Sequence, residues 1–364
     1  MQLKANIKEN VKMKLTAAVI GCGNISKFHF SGLEKTGAKI KWVCDLRKES
    51  AKPWMEKFNA KYTDDFMDIM NDPEVIVVNI TSFSSIHKDM CLAAIDAGKS
   101  VICEKTLTTN AEDSYEIVKK AEKAGTIFYT SYMKRFLPAV EKGKEILPSI
   151  GKILSTSIRA FQPWGDMWSG NPKEGACHTP PGGKSVLVKN LGGGVLVCGG
   201  SHILDLVCHF LGRPSSLYAY MAIPKDRDYD LQAAALMETE NGPVHYETLM
   251  HSLDKIGYLR DGWDETIEIT GTKGRINVYC PFWDKVDIKG SLMVHCGSAN
   301  GTATEYRFAP VSPFDRAIAF FCENISKGKQ GTQSRLTGYD VDELISCITK
   351  SAKSKKALEI KWKI

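Results

Sequence analysis

Lys105 follows Glu104 at the end of an apolar run, Ser100-Val101-Ile102-Cys103, which is not the setting of a surface lysine. A cation placed there can hydrogen-bond a hydroxyl and stabilise the alkoxide formed when that hydroxyl loses its proton. The plainer alternative is a lysine paired with Glu104 for structure alone. A second constellation is Gly192-Gly193-Gly194-Val195-Leu196-Val197-Cys198-Gly199-Gly200-Ser201-His202-Ile203-Leu204-Asp205. Read as a helix over residues 195–211, it sets Cys198, His202 and Asp205 at i, i+4 and i+7 on one face. His202 is then the natural general base, with the Asp205 carboxylate to orient it. The same residues admit a satisfied core histidine, or a metal site of His202, Asp205 and His209 with Cys177 or His178. No recognised zinc spacing is present, and no metal is expected.

A base and a cation need a reaction partner, and the N-terminal stretch supplies a place for one. Ala17-Ala18-Val19-Ile20-Gly21-Cys22-Gly23-Asn24-Ile25-Ser26 reads as strand, turn and helix. Gly21 permits the tight turn, and Gly23 has no side chain to keep a pyrophosphate off the backbone. Asn24 and Ile25 lead into a helix N-terminus with unpaired N–H groups. A second strand over residues 38–44 ends in Asp45, about 20 residues on, where an acid grips ribose hydroxyls. Asp45 favours NAD over NADP, while Arg47 nearby leaves NADP open. In open α/β sheets ligands bind beyond the carboxyl ends of the strands. The glycine turn, Asp45, the loop Thr81-Ser82-Phe83-Ser84-Ser85-Ile86-His87 and Glu104-Lys105 all collect there. Thr81, Ser82, His87 and Glu104 are therefore assigned to the cofactor side, together with Lys105.

These residues need elements to carry them. Residues 75–80 form an unbroken apolar run, as in a strand buried on both faces. Strands and helices alternate from about 15 to 134, which predicts a Rossmann-type, doubly wound parallel sheet over residues 1–134. Beyond that the pattern changes. Residues 151–161 alternate apolar and polar, and 162–194 form a Gly- and Pro-rich stretch carrying Trp164 and Trp168. Several strand-like segments then run from 216 to 294 without intervening helices. Residues 135–364 thus read as an α+β domain with a mostly antiparallel open sheet, closed by an amphipathic helix over 340–353. Arg135, Trp164, Cys198, Asp205 and Trp263 are assigned to the substrate side, the tryptophans as faces on which a sugar could stack.

Composition narrows the function classes. A chain of 364 residues is too long for one typical core and points to two domains. An apolar fraction of 43% with 25% charged residues is that of a soluble globular protein. The net charge of +6 is modest and spread out, so nucleic-acid binding, which needs a sharper basic stripe, is not expected. The densest basic stretch, residues 350–356, reads as a solvated helix face. Eleven cysteines without Cys-x-x-Cys spacing fit free thiols in a reducing cytoplasm. No apolar run approaches a membrane span, and residues 1–16 hold no hydrophobic leader core.

Three groups of residues carry a resemblance over nearly the whole chain. They are Ala18-Val19-Ile20-Gly21-Cys22-Gly23-Asn24-Ile25, Ala97-Gly98-Lys99-Ser100-Val101 running into Glu104-Lys105, and Gly192-Gly193-Gly194 followed by His202 and Asp205. Together the sequence resembles the Gfo/Idh/MocA family of sugar and cyclitol oxidoreductases. The resemblance implies a Rossmann domain joined to a sheet domain that forms the substrate wall and a homo-oligomer face. It implies hydride transfer between a sugar carbinol carbon and nicotinamide C4, with Lys105 and His202 at the family's catalytic lysine and histidine. Two further activities known among such proteins remain open, a redox-assisted glycosidase and a non-catalytic sensor. Three positions depart from the family pattern. Thr106 and Ser82 replace prolines, and Cys198 stands where many members carry an aspartate four residues before the histidine.

Overall fold

The computed structural model describes residues 15–166, 171–172, 190–225, 228–286, 288–297 and 301–364. Six strands, β1 (Thr16–Ile20), β2 (Lys39–Cys44), β3 (Lys61–Thr63), β4 (Val77–Ile80), β5 (Ser100–Cys103) and β6 (Phe128–Thr130), form one sheet. Its order is β3-β2-β1-β4-β5-β6 and every pair is parallel. Parallel strands are covered on both faces, so Val77, Val78, Asn79 and Ile80 are all buried. The covering helices are α1 (Ser26–Thr36), α2 (Lys48–Phe58), α3 (Phe66–Met70), α4 (His87–Asp96) and α5 (Ala111–Ala124). Their ends follow local chemistry: the Asp65 side chain caps α3, the Asn110 side chain caps α5, and Gly125 closes α5 in the left-handed region.

After α6 (Pro138–Ile146), strand β7 (Ile153–Gln162) opens the second sheet, and β8 (Gly165–Asp166) pairs with β9 (Asn171–Pro172) as a short ribbon. The large sheet continues with β10 (Ser216–Ala222), β11 (Gln232–Thr239), β12 (Gly242–Met250), β13 (Asp264–Gly271), β14 (Gly274–Cys280), β15 (Leu292–Gly297), β16 (Ala303–Arg307) and β17 (Leu358–Glu359). Its order is β16-β15-β14-β13-β7-β12-β11-β10-β17, antiparallel except for the β7–β12 pair. This is the parallel sheet plus mostly antiparallel open sheet that the patterning predicts. The alternating burial of β7 and β11 gives the sheet one covered and one open face. Helices α7 (Ser201–Leu211) and α9 (Thr337–Ser354) cover the inner face through Leu204, Val207, Val341 and Leu344.

Two departures from the sequence reading bear on the site. The expected helix over 195–211 is present, but its first turn is wound more widely: Leu196–Gly200 form a π-turn that runs directly into α7 at Ser201. A helix absent from that reading, α8 (Pro313–Ser326), returns to the parallel sheet, where its Ala317, Ile318, Phe321 and Cys322 share a core with Phe30 and Leu33 of α1. Among the described residues no helix is long and apolar enough to cross a membrane.

Candidate active site

The glycine turn leaves β1 and enters α1 beside the loop that follows β4. Gly21 sits at φ +93°, and a Cβ there would stand 2.9 Å from the Thr81 carbonyl, so only glycine fits. A Cβ on Gly23 would meet nothing within 4 Å, and Gly23 and Asn24 are both exposed. That open backbone at a helix N-terminus is the cradle a pyrophosphate requires, with Ile25 half-buried behind it. Asp45, at the end of β2, accepts the Cys22 N–H at 2.8 Å on one oxygen and the Arg47 N–H at 2.8 Å on the other. Each oxygen keeps a further lone pair for a ribose hydroxyl. The Arg47 side chain is exposed, with its Nε 3.8 Å from Asp45. Burial and the neighbouring Asp45 push the Cys22 thiol up to about 12, so it is not a nucleophile.

The side chains of four residues assigned to the cofactor side make bonds within the protein that brace the loops around the crevice. The Thr81 hydroxyl donates to the Gly21 carbonyl at 2.6 Å and is buried. Ser82 turns its hydroxyl to the Met90 sulfur. His87 is wholly buried, one ring nitrogen facing the Thr106 and Leu107 carbonyls and the other the Ser82 carbonyl at 3.0 Å. Glu104 is also buried and faces His29 of α1 at 2.8 Å rather than the crevice. Sequence spacing places a residue at the rim of a sheet but not the direction of its side chain, and these four point inward.

Lys105 is half-buried at the carboxyl end of β5, and its peptide bond to Thr106 is cis. Its Nζ donates to the main-chain carbonyl of Cys198 at 3.1 Å, one turn before His202. The π-turn presenting that carbonyl is anchored by Asp230, whose two carboxylate oxygens accept the N–H groups of Gly194 (2.9 Å) and Leu196 (2.7 Å). A methyl group on Gly194 would overlap the Asp230 backbone, which explains the glycine run as a packing requirement. Asp230 escaped the sequence reading, because nothing in the pattern links residue 194 to an aspartate 36 positions on.

His202 is half-buried at the start of α7, edge-on to the Tyr132 ring at a centroid distance of 5.9 Å. Burial, then the positive charges of Lys105 and Lys134, pull its imidazole well below the usual histidine range. It is therefore neutral at physiological pH. Its Nδ1 is buried without a hydrogen-bond partner, so Asp205 does not orient it. Asp205 turns the other way, accepting from Arg135 Nε at 2.8 Å and Nη2 at 2.6 Å. Burial alone would favour loss of the Arg135 charge, and the Asp205 carboxylate outweighs it. Both residues, expected at the substrate, instead form a buried pair joining the segment after β6 to α7. Cys198 packs its thiol with Trp164 and Leu191 against Val195, Tyr229, Leu231 and Met250. Burial pushes that thiol up to about 11, so it is neutral.

The tryptophans divide. Trp164 is half-buried beside the π-turn, its Nε1 donating to Gln162 at 2.6 Å. Trp263 is only 2% exposed, stacked on Phe282 and capped by Lys134, which pairs with Glu265, so it offers no face to a sugar. Trp168, Cys177 and His178 lie outside the described residues. Among the described residues no three His, Cys, Asp or Glu side chains converge as a metal site would need.

Comparison with known proteins agrees with this geometry. Residues 15–132 match the Gfo/Idh/MocA oxidoreductase family with its NAD-binding Rossmann fold, and residues 148–277 match that family's C-terminal domain. The chain is 32% identical to an inositol 2-dehydrogenase of Salmonella typhimurium over 156 residues, 41% of this chain and 46% of that one. It is 26% identical to a myo-inositol 2-dehydrogenase of Thermotoga maritima, covering 71% and 73% of the two chains. A solved levoglucosan dehydrogenase in complex with NADH and levoglucosan superposes with a TM-score of 0.81 at 20% identity, over 96% of this chain and all of that one. With both halves matched and the glycine turn open to a dinucleotide, the protein belongs to the Gfo/Idh/MocA family of NAD-binding oxidoreductases.

Proposed function

We propose that the protein is an NAD-dependent dehydrogenase that oxidises a secondary hydroxyl of a pyranose, glycoside or cyclitol. The observation that carries this reading is the meeting of Lys105 and the His202 turn at the carboxyl ends of the parallel strands. The named activities of the inositol and levoglucosan dehydrogenases point to the same substrate class. Gly21, Gly23, Asn24, Ile25 and Asp45 would hold the dinucleotide, and Asp45 would repel a 2′-phosphate while the exposed Arg47 tolerates one. Bound NAD supplies the hydride acceptor.

The chain's own residues supply the proton chemistry. His202, neutral at working pH, accepts the proton of the substrate hydroxyl. Lys105 donates to the same oxygen and stabilises the alkoxide. The Lys105 charge lowers the basicity of His202 and also favours the alkoxide over the alcohol. Cys198, neutral and packed among apolar side chains, acts as a spacer. Incubating the protein with NAD and a panel of inositols, pyranoses and glycosides, followed by NMR of the product, tests the reading. Stoichiometric ketone and NADH support it; loss of an aglycone without NADH indicates the redox-assisted glycosidase instead.

The open sheet face suits a second copy of the chain in a reducing cytoplasm. Tyr218, Tyr220 and Leu236 are exposed there, with Tyr218 and Leu236 cross-strand partners. Sedimentation of the purified protein tests this homo-oligomer.

A further inference from the structure

A buried polar cluster lies directly behind the lysine. His29 lies wholly inside α1, its ring spanning two strands of the parallel sheet. Its Nε2 stands 2.8 Å from Glu104 Oε1, and its Nδ1 stands 3.2 Å from Asn79 Oδ1 on β4. The other Glu104 oxygen accepts the backbone N–H of Lys105 at 3.2 Å. Asn79 Nδ2 is buried with no partner. Turning the Asn79 amide over exchanges that orphan donor for a less costly orphan acceptor, and Nδ2 then donates to Nδ1 while Nε2–H donates to Glu104. The alternative, an imidazolium donating to both oxygens, leaves the Asn79 amine unpaired.

Resting on the dehydrogenase reading, we propose that His29 is a positioning residue for Lys105, holding Glu104 as a fixed carboxylate behind the lysine in its neutral Nε2–H tautomer. A neutral histidine leaves Glu104 a full negative charge to set against the Lys105 ammonium, where an imidazolium would cancel it. The clip also fixes the backbone from which Lys105 springs, since one carboxylate bridges α1 and the Lys105 N–H. Burial alone would push the Glu104 carboxyl up, but the hydrogen bond from His29, then Lys105, hold it below its usual range. The remaining titratable neighbours in its field are His87, Tyr132 and Cys103. Burial keeps all three neutral near pH 7, so His29 and Lys105 decide the state of Glu104.

Two variants and one spectrum test this. His29→Leu removes the donor, and His29→Gln keeps a side-chain N–H that reaches Glu104. His29→Leu is expected to lower kcat by on the order of tenfold with KM for NAD little changed, the worth of a hydrogen bond to a charged group. Its kcat should also fall toward acid pH, where the wild type stays flat, because Glu104 now takes up a proton more readily. His29→Gln should restore most of kcat and the flat profile. A merely structural role predicts loss of stability with no new acid limb and no rescue by glutamine; either result overturns the proposal. Nitrogen-15 NMR of histidine-labelled wild type, with the His29 signal identified by its loss in His29→Gln, should show a protonated Nε2 and a bare Nδ1. An imidazolium or an Nδ1–H tautomer also overturns it. The spectrum needs no substrate, so it separates failure of the clip from failure of the dehydrogenase reading.

Discussion

Asp342 of α9 should make the fold less stable as pH rises from the acid side to neutrality. Its Oδ2 accepts the Thr108 N–H at 2.9 Å and the Ser114 hydroxyl at 2.5 Å, while Oδ1 is buried without a partner. Burial pushes the carboxyl up to about 7 against an ordinary value of 3.8. The folded state therefore holds a proton that the unfolded chain has released. The resulting stability is complete below the unfolded value and is lost as pH climbs to about 7. Between pH 5 and pH 8.5 the loss covers about two pH units at about 1.4 kcal/mol each, or about 3 kcal/mol. Asp342→Asn keeps an acceptor for Thr108 and cannot ionise, so it should escape that loss. The assay is the urea midpoint of both proteins at several pH values, converted with a common slope. The wild type should fall relative to the variant by about 3 kcal/mol over this range. A difference that does not change with pH refutes the reasoning.

The remaining predictions concern the site. Lys105→Met should bind NAD as the wild type does, by fluorescence titration, while kcat falls, because the ammonium acts on charge that develops in the transition state; unchanged kcat removes Lys105 from the chemistry. Cys198→Ala should keep most turnover, since the thiol is neutral and Lys105 holds the Cys198 carbonyl rather than the sulfur; a collapse of kcat with intact circular dichroism would mean a working thiol. Asp205→Ala should cost about 3–5 kcal/mol in chemical denaturation by leaving Arg135 without its carboxylate; lost activity at full stability would return Asp205 to the mechanism.

The parallel sheet and its alternation with helices were readable because they depend on patterns within short windows. Apolar runs such as residues 75–80 show a strand buried on both faces, and Gly21 and Gly23 mark the turn beyond it. Side-chain direction was not readable. Thr81, His87 and Glu104 sit on the expected loops, yet their partners are carbonyls and a histidine far away in the chain. Asp205 stands at helical spacing from His202, but the nearby Arg135 guanidinium claims it. The π-turn was equally invisible, because it depends on Asp230 gripping Gly194 and Leu196 across the fold. Helix α8 carries an ordinary amphipathic pattern, and only the tertiary structure shows it covering α1.

The proposed reaction is hydride transfer from a carbinol carbon with His202 as the proton acceptor. Its most direct test uses a turned-over polyol deuterated at the reacting carbon, with NAD, wild type and His202→Ala, and NMR of the recovered nicotinamide. Deuterium is expected at nicotinamide C4 with the wild type, and a rate lower by about 10²–10⁴-fold with His202→Ala. Deuterium released to water, or a His202→Ala enzyme as fast as the wild type, would contradict it.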